Sequence, residues 1–174
     1  MHSKNEWGKL NKVIVGHAHN ATVPEIDISL RHINYADVKD ELTIPAGKYP
    51  QIVVDEANED LTTFVNFLEK EGVDVVRPDI TDCNYYNYCP RDSVIVYKDK
   101  AIATPMPLRA RRNEYQAYER HLENIHPYDI MRSDELYNPN CLGDKEVLAL
   151  TEHEPAFDAA NVIRANDDLL YLVS

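Results

Sequence analysis

The strongest constraint on the fold lies between Ile52 and Leu68. There Ile52, Val53, Ala57, Leu61, Phe64, Val65 and Leu68 recur at helical spacing, while Asp55, Glu56, Glu59, Asp60 and Glu69 take the other face. Gly72 stops this helix, and Val73-Asp74-Val75-Val76 followed by Arg77-Pro78 reads as a strand ended by the proline. Upstream, Lys12-Val13-Ile14-Val15-Gly16 is a β-branched run closed by glycine, the pattern of a buried strand. Downstream, Ser93 to Tyr97 and Ala101 to Thr104 read as two strands joined by the polar turn Lys98-Asp99-Lys100. Tyr115, Tyr118, Leu122 and Ile125 then space out a second helix from about Arg112 to His126. A loop containing Pro127, Pro139 and Gly143 follows, then two apolar runs, Val147 to Leu150 and Leu169 to Val173. From His17 to Pro50 the pattern is lost. A connection that long is either functional or carries short elements that periodicity does not resolve.

This order of elements predicts an α/β (α+β) fold in a single domain, 1–174. At 174 residues, 44% hydrophobic and 28% charged, the chain has enough apolar surface for a core. No run of about 18 apolar residues is present. Met1-His2-Ser3-Lys4-Asn5-Glu6 lacks the apolar stretch of a signal peptide, so a cytoplasmic location is expected, with no membrane partner. Eighteen Lys and Arg against 30 Asp and Glu leave a formal charge of -12, which argues against nucleic acid as a partner. Five glycines without G-x-G-x-x-G or P-loop spacing leave no phosphate cradle. Cys83, Cys89 and Cys141 are odd in number and unpaired by C-x-x-C spacing, so no disulfide framework or zinc ribbon is expected. They read as buried or idle reduced thiols. The closing run, Asp168 to Ser174, stops once a strand has been made, and is expected to expose an edge or to pair with something else.

Four segments, in order along nearly the whole chain, carry a resemblance. They are Asn5-Glu6-Trp7-Gly8-Lys9-Leu10 leading into Val13-Ile14-Val15-Gly16, and Glu69-Lys70-Glu71-Gly72-Val73 leading to Val76-Arg77-Pro78. The third combines Tyr88-Cys89-Pro90-Arg91-Asp92, Thr104 to Arg111 and Glu114 to Tyr118, and the fourth runs from Glu154 through Phe157-Asp158-Ala159-Ala160-Asn161 to Arg164 and on to Ser174. Together they resemble the glycine and inosamine-phosphate amidinotransferases, N-terminal half only. The resemblance implies a partial pentein, an α/β propeller of ββαβ-like modules around a central site, with the family's C-terminal modules absent. It implies transfer of the amidino group of L-arginine to an amine acceptor, glycine or an inosamine phosphate, through a Cys-thiouronium intermediate, with no metal or organic cofactor.

Guanidinium is planar and permanently cationic, so any site that handles it needs carboxylates. Taken alone, Asp92 reads as a turn or capping residue at a strand start. In the resemblance it matches the guanidinium-binding carboxylate. Asp158, otherwise a loop aspartate, matches the carboxylate that orients a catalytic His, with the small Ala159 and Ala160 letting backbone approach a substrate. Asn161 matches a polar substrate-binding position. Arg91, Arg109, Arg111 and Glu114 are expected to support these groups or the fold through ion pairs.

The family's H-x-D motif and its Gly-rich turn before Cys have no counterpart here. Cys89 and Cys141 stand in other motifs, and His17, His19, His32, His121, His126 and His153 read as solvated. Two readings stay open. In one, the chain is an enzyme half, inactive alone, whose Asp92 and Asp158 face a common cleft and whose complement is a C-terminal chain or a second copy. In the other, it is a guanidine-binding or assembly module without turnover. A guanidine-modifying hydrolase of the same superfamily is a third, weaker alternative, and the acceptor is not readable.

Overall fold

A computed structural model describes residues 2–39, 43–82, 85, 87–122, 130–131, 157–166 and 168–171. The run Val147 to Leu150, the loop around Pro139, and Cys83, Cys141, His126 and His153 lie outside the described residues.

The architecture is mixed α/β. Strand β1 (Lys12–Ile14) leads into β2 (Thr22–Val23), helix α1 (Ile28–Asn34) and β3 (Gly47–Lys48), and then helix α2 (Gln51–Lys70) precedes β4 (Asp74–Val76). β1 and β4 pair in parallel, Lys12 opposite Asp74 and Ile14 opposite Val76, with α2 in the crossover between them. The helix ends where Gly72, at φ 79°, adopts the left-handed conformation. The Gly72 N–H then reaches the Glu69 carbonyl at 3.0 Å and the Val73 N–H that of Leu68 at 3.0 Å, a Schellman ending. Leu61, Val65 and Leu68 of α2 pack on Val13, Val15, Val73 and Val75. The unpatterned stretch carries short elements: β2 pairs with β3, and Asp27 caps α1 by accepting from the Leu30 N–H at 2.8 Å.

The second half of the described chain centres on β5 (Val94–Tyr97), preceded by the single-turn helix α3 (Pro90–Ser93). β5 forms a hairpin with β6 (Lys100–Ala103), and β6 pairs in parallel with β7 (Ile130–Met131). Both faces of β5 are covered, which is why its sequence is apolar without alternation. Val94 faces Tyr115, Ala117, Tyr118 and Leu122, whereas Ile95 faces Phe157, Ala159 and Val162. The helix expected from Arg112 is instead two 3-10 turns, Arg109–Arg111 and Glu114–Tyr118, followed by one α-helical turn, α4 (Glu119–Leu122). Arg111 closes the first 3-10 turn and Glu114 opens the second, and the two side chains meet across the turn between them, while Tyr115 and Tyr118 enter the same apolar cluster. The last hairpin joins β8 (Val162–Ala165) to β9 (Asp168–Tyr171), so the strand expected at the chain's end is paired on one side with β8.

The apolar face expected of α2 is wider than what it covers. Ile52, Val53 and Phe64 belong to the pattern, yet they are 63, 45 and 50% exposed. The reason is geometric: among the described residues, this helix rests on the two-stranded β1/β4 sheet. His17 also departs from its expected solvated state and is 3% exposed. Its backbone bridges Asn87, and Gly16 beside it has no room for a Cβ, which would stand 2.2 Å from the Asn87 carbonyl oxygen. Burial lowers the imidazole's pKa below its ordinary value.

Candidate active site

Asp92 sits in α3, where Pro90 at the first helical turn and the Asp92 N–H bonded to the Cys89 carbonyl at 3.1 Å fix the turn ahead of β5. Asp158 precedes the 3-10 turn Ala159–Asn161 and caps it, accepting from the Ala160 N–H at 2.7 Å. One oxygen of Asp158 is therefore committed to local structure and the other is not. The two carboxylates belong to distant parts of the sequence and converge on one guanidinium. Arg111 Nη1 donates to Asp92 Oδ2 at 3.0 Å and lies 3.7 Å from Asp158 Oδ2. Arg111 Nε and Nη2 meet Glu114 Oε1 and Oε2, each at 2.9 Å, in a bidentate fork. Ser93 donates its hydroxyl to Glu114 Oε2 at 2.7 Å.

Arg111 and Glu114 are almost wholly enclosed, whereas the Asp92 and Asp158 side chains keep 21 and 27% of their surface. The inner pair thus forms a buried base and the outer pair presents the accessible acid. Burial pushes the Glu114 carboxyl up, against the pull of Arg111 and of the Ser93 hydroxyl. Burial also raises Asp158, helped by the charge of Asp92 and opposed by the Ala160 N–H, Arg111 and Arg91. The three carboxylates share the buried Arg111 guanidinium, and Arg91 acts on Asp158 from farther out.

Asp92 and Cys89 line a cleft of about 1130 Å³, with Leu10, Leu61, Phe64 and Arg164 among its other walls. Neither Asp158 nor Arg111 is among the lining residues, so of the two aspartates expected to face a common cleft only Asp92 lines it; Asp158 is joined to Asp92 through the buried Arg111 instead. Cys89, which stands outside any Gly-rich turn of the kind that carries the family's nucleophile, has a thiol that feels the charges of Asp92, Arg111, Glu114 and Asp158. Burial first, and then Asp92, push it up to about 11, which holds it protonated at neutral pH.

Among the remaining expected residues, Arg91 donates to the carbonyls of Ala159 at 3.3 Å and Val162 at 2.7 Å, gripping the segment that carries Asp158. Asn161 lies half-buried in the 3-10 turn, and Arg109 is half-buried two residues before Arg111. Ala159 is fully buried against Ile95, so its small size serves packing; Ala160 is the exposed one. Two contributors went unsuspected. Glu6 and Arg164 form a bidentate pair, with Arg164 Nη2 donating to Oε2 at 2.7 Å and Nε to Oε1 at 2.9 Å. Both stand in segments already singled out, Asn5-Glu6-Trp7-Gly8 and the run ending in Arg164, and opposite charges there were the available signal. Among the described residues no group of three or more His, Cys, Asp or Glu is arranged to hold a metal ion, and no helix is long and apolar enough to cross a membrane.

No family model matches the chain. It is 38% identical over 194 aligned residues to inosamine-phosphate amidinotransferase 1 of Streptomyces glaucescens, covering 98% of this chain and 54% of that protein. It is 34% identical to the mitochondrial glycine amidinotransferase of Gallus gallus, covering 96% of this chain and 47% of that protein. Its fold superposes on the solved inosamine-phosphate amidinotransferase of Streptomyces griseus with a TM-score of 0.83 at 36% identity, over 99% of this chain and 55% of that one. The chain spans about half the length of the curated relatives it matches.

Proposed function

The chain belongs to the amidinotransferase family, matching the N-terminal portion of its members, and from that membership we propose that it supplies the acidic half of a site that transfers the amidino group of L-arginine to an amine. The observation that carries this reading is the convergence of Asp92 and Asp158 on the single guanidinium of Arg111. A site that already coordinates one guanidinium between carboxylates has the chemistry to hold another.

In this reading Asp92, on the wall of the cleft, accepts from the substrate guanidinium. Asp158 takes the ring N–H of an imidazole supplied by the rest of the fold and stabilises its cationic form, while Asn161 offers a hydrogen bond nearby. Arg91, Arg109, Arg111 and Glu114 hold these groups in place. A thiolate from the rest of the fold attacks the guanidinium carbon, and ornithine leaves as the C–N bond breaks and its amine takes a proton. The acceptor amine then attacks the thiouronium carbon and the thiolate is released. Cys89, held protonated, does not serve as that nucleophile. The relatives differ in acceptor, as their names state, and the loops around the cleft would select it.

The test is amidino transfer from L-arginine to glycine, and to an inosamine phosphate, by this chain alone and with a protein carrying the remaining modules. No turnover alone and turnover on completion are expected, with Asp92→Asn lowering kcat/KM by about 10²-fold or more. Efficient transfer by the isolated chain would contradict the assignment of nucleophile and His elsewhere. A second reading is a guanidine-binding module without turnover, and it draws on the Arg111 guanidinium already seated on Asp92. Arginine binding without transfer in the completed assembly would favour it.

A further inference from the structure

Asn5, Glu6 and Gly8 line the cleft that reaches Asp92, and their turn closes a network of charged hydrogen bonds around the site. We infer that Glu6 is a positioning residue: it latches the segment from Asp158 to Ala165 onto α3 and β5, and so fixes where Asp158 stands relative to Asp92.

The turn is built for one geometry. Asn5 Oδ1 accepts from the Trp7 N–H at 3.2 Å and the Gly8 N–H at 2.6 Å, a local side-chain turn that points Glu6 away from Asn5. Ahead of it, Ser3 bridges Lys98 at the far end of β5, with the Ser3 N–H on the Lys98 carbonyl at 3.0 Å. Glu6 is thus delivered from a strap already pinned to the strand that Asp158's segment covers. Glu6 Oε1 accepts from Arg91 Nη2 at 3.3 Å, Arg164 Nε at 2.9 Å and the Arg164 backbone N–H at 3.2 Å, and Oε2 accepts from Arg164 Nη2 at 2.7 Å.

Each arginine also grips backbone. Arg91, next to Asp92, holds the carbonyls of Ala159 and Val162 on either side of the turn that Asp158 caps. Arg164 Nη1 donates to the Val96 carbonyl of β5 at 2.5 Å. Without Glu6, two guanidinium groups would face each other across this segment with carbonyl dipoles alone to hold them. Isolated surface ion pairs contribute little, but a bidentate fork within a four-donor network, on partners 14 to 41% exposed, is the exception. The carboxylate is correspondingly held below its ordinary pKa, chiefly by the Arg164 hydrogen bond.

The inference rests on the proposed reading of Asp158 as a site carboxylate, and its test uses no substrate. Amide hydrogen exchange is read on the whole chain and on Glu6→Gln, which keeps the shape and loses the charge. Amides of Asn161 to Ala165 are expected to exchange about tenfold faster, with those of α2 unchanged. Glu6→Asp, which retains the charge on a shorter arm, falls between, and Arg91→Lys, which cannot fork to two carbonyls, loosens the same amides. The Asp158 carboxyl, followed by NMR, shifts its titration midpoint in Glu6→Gln. Unchanged exchange in Asn161 to Ala165, an equal acceleration throughout α2, or a loosened segment with an unmoved Asp158 titration overturns the inference. Failure of arginine to bind bears on the proposed function alone.

Discussion

Arg111 shows how one side chain can organise a site that it does not itself expose. Its three nitrogens meet three carboxylates, and Glu114, the most enclosed of these, has no other cation at hydrogen-bond distance among the described residues. Replacing Arg111 by Met would leave that carboxylate buried without its partner, and a loss of about 3–5 kcal/mol is expected in urea denaturation. The double substitution Arg111→Met, Glu114→Leu should recover much of it, because an apolar pair of similar volume needs no desolvation of charge. Cys89 gives a second residue-level expectation. With its thiol at about 11, the thiolate fraction rises roughly tenfold per pH unit through the range where a free cysteine of pKa about 8.5 has already levelled off. Alkylation by iodoacetamide, followed at Cys89 by mass spectrometry, should therefore keep accelerating from pH 8 to about pH 10; a plateau near pH 9 would contradict the burial of this thiol. Asp92 and Asp158 stand out in the sequence as candidates from their motifs. Their convergence is not legible there, because nothing local in either motif specifies the other, and the group that joins them comes from a third segment.

α2 was the most legible element and also the one whose reading needed most correction. Its period, its Gly72 ending and the strand beyond it follow from local chemistry, and all three are found. Its periodicity could not say how much of the apolar stripe has a partner. Leu68 is buried in the β1/β4 core, whereas its neighbour Phe67 is 57% exposed. Leu68→Ala is accordingly expected to cost about 2–5 kcal/mol, and Phe67→Ser to stay within about 0.5 kcal/mol, by chemical denaturation of the same chain. Equal losses would mean that Phe67 is covered in solution. The 3-10 turn Glu114–Tyr118 stands where a helix from about Arg112 was expected, for a related reason. Tyr115, Tyr118 and Leu122 reach the core in either winding, so their spacing does not distinguish the two.

At the scale of the whole molecule, the described residues divide around two small apolar centres, α2 on the β1/β4 pair and β5 sandwiched between Tyr118 and Val162, with the cleft between them reaching Asp92. The strap from Ser3 to Glu6 crosses from the first to the second and ties β8 to α3, which makes the beginning of the chain part of the architecture of the site. By itself the sequence determined the principal helix and the strands flanking it, because each is encoded within a short window, and the mixed α/β class and the family, because the order of such windows along the chain is written in it. Only the tertiary structure decided that Arg111 gathers Asp92 and Asp158, that His17 is buried, that Cys89 is held protonated and that Glu6 reaches Arg164 across the length of the chain. Those outcomes depend on distances between segments and on the water excluded from between them, and neither quantity is written in any single stretch of residues.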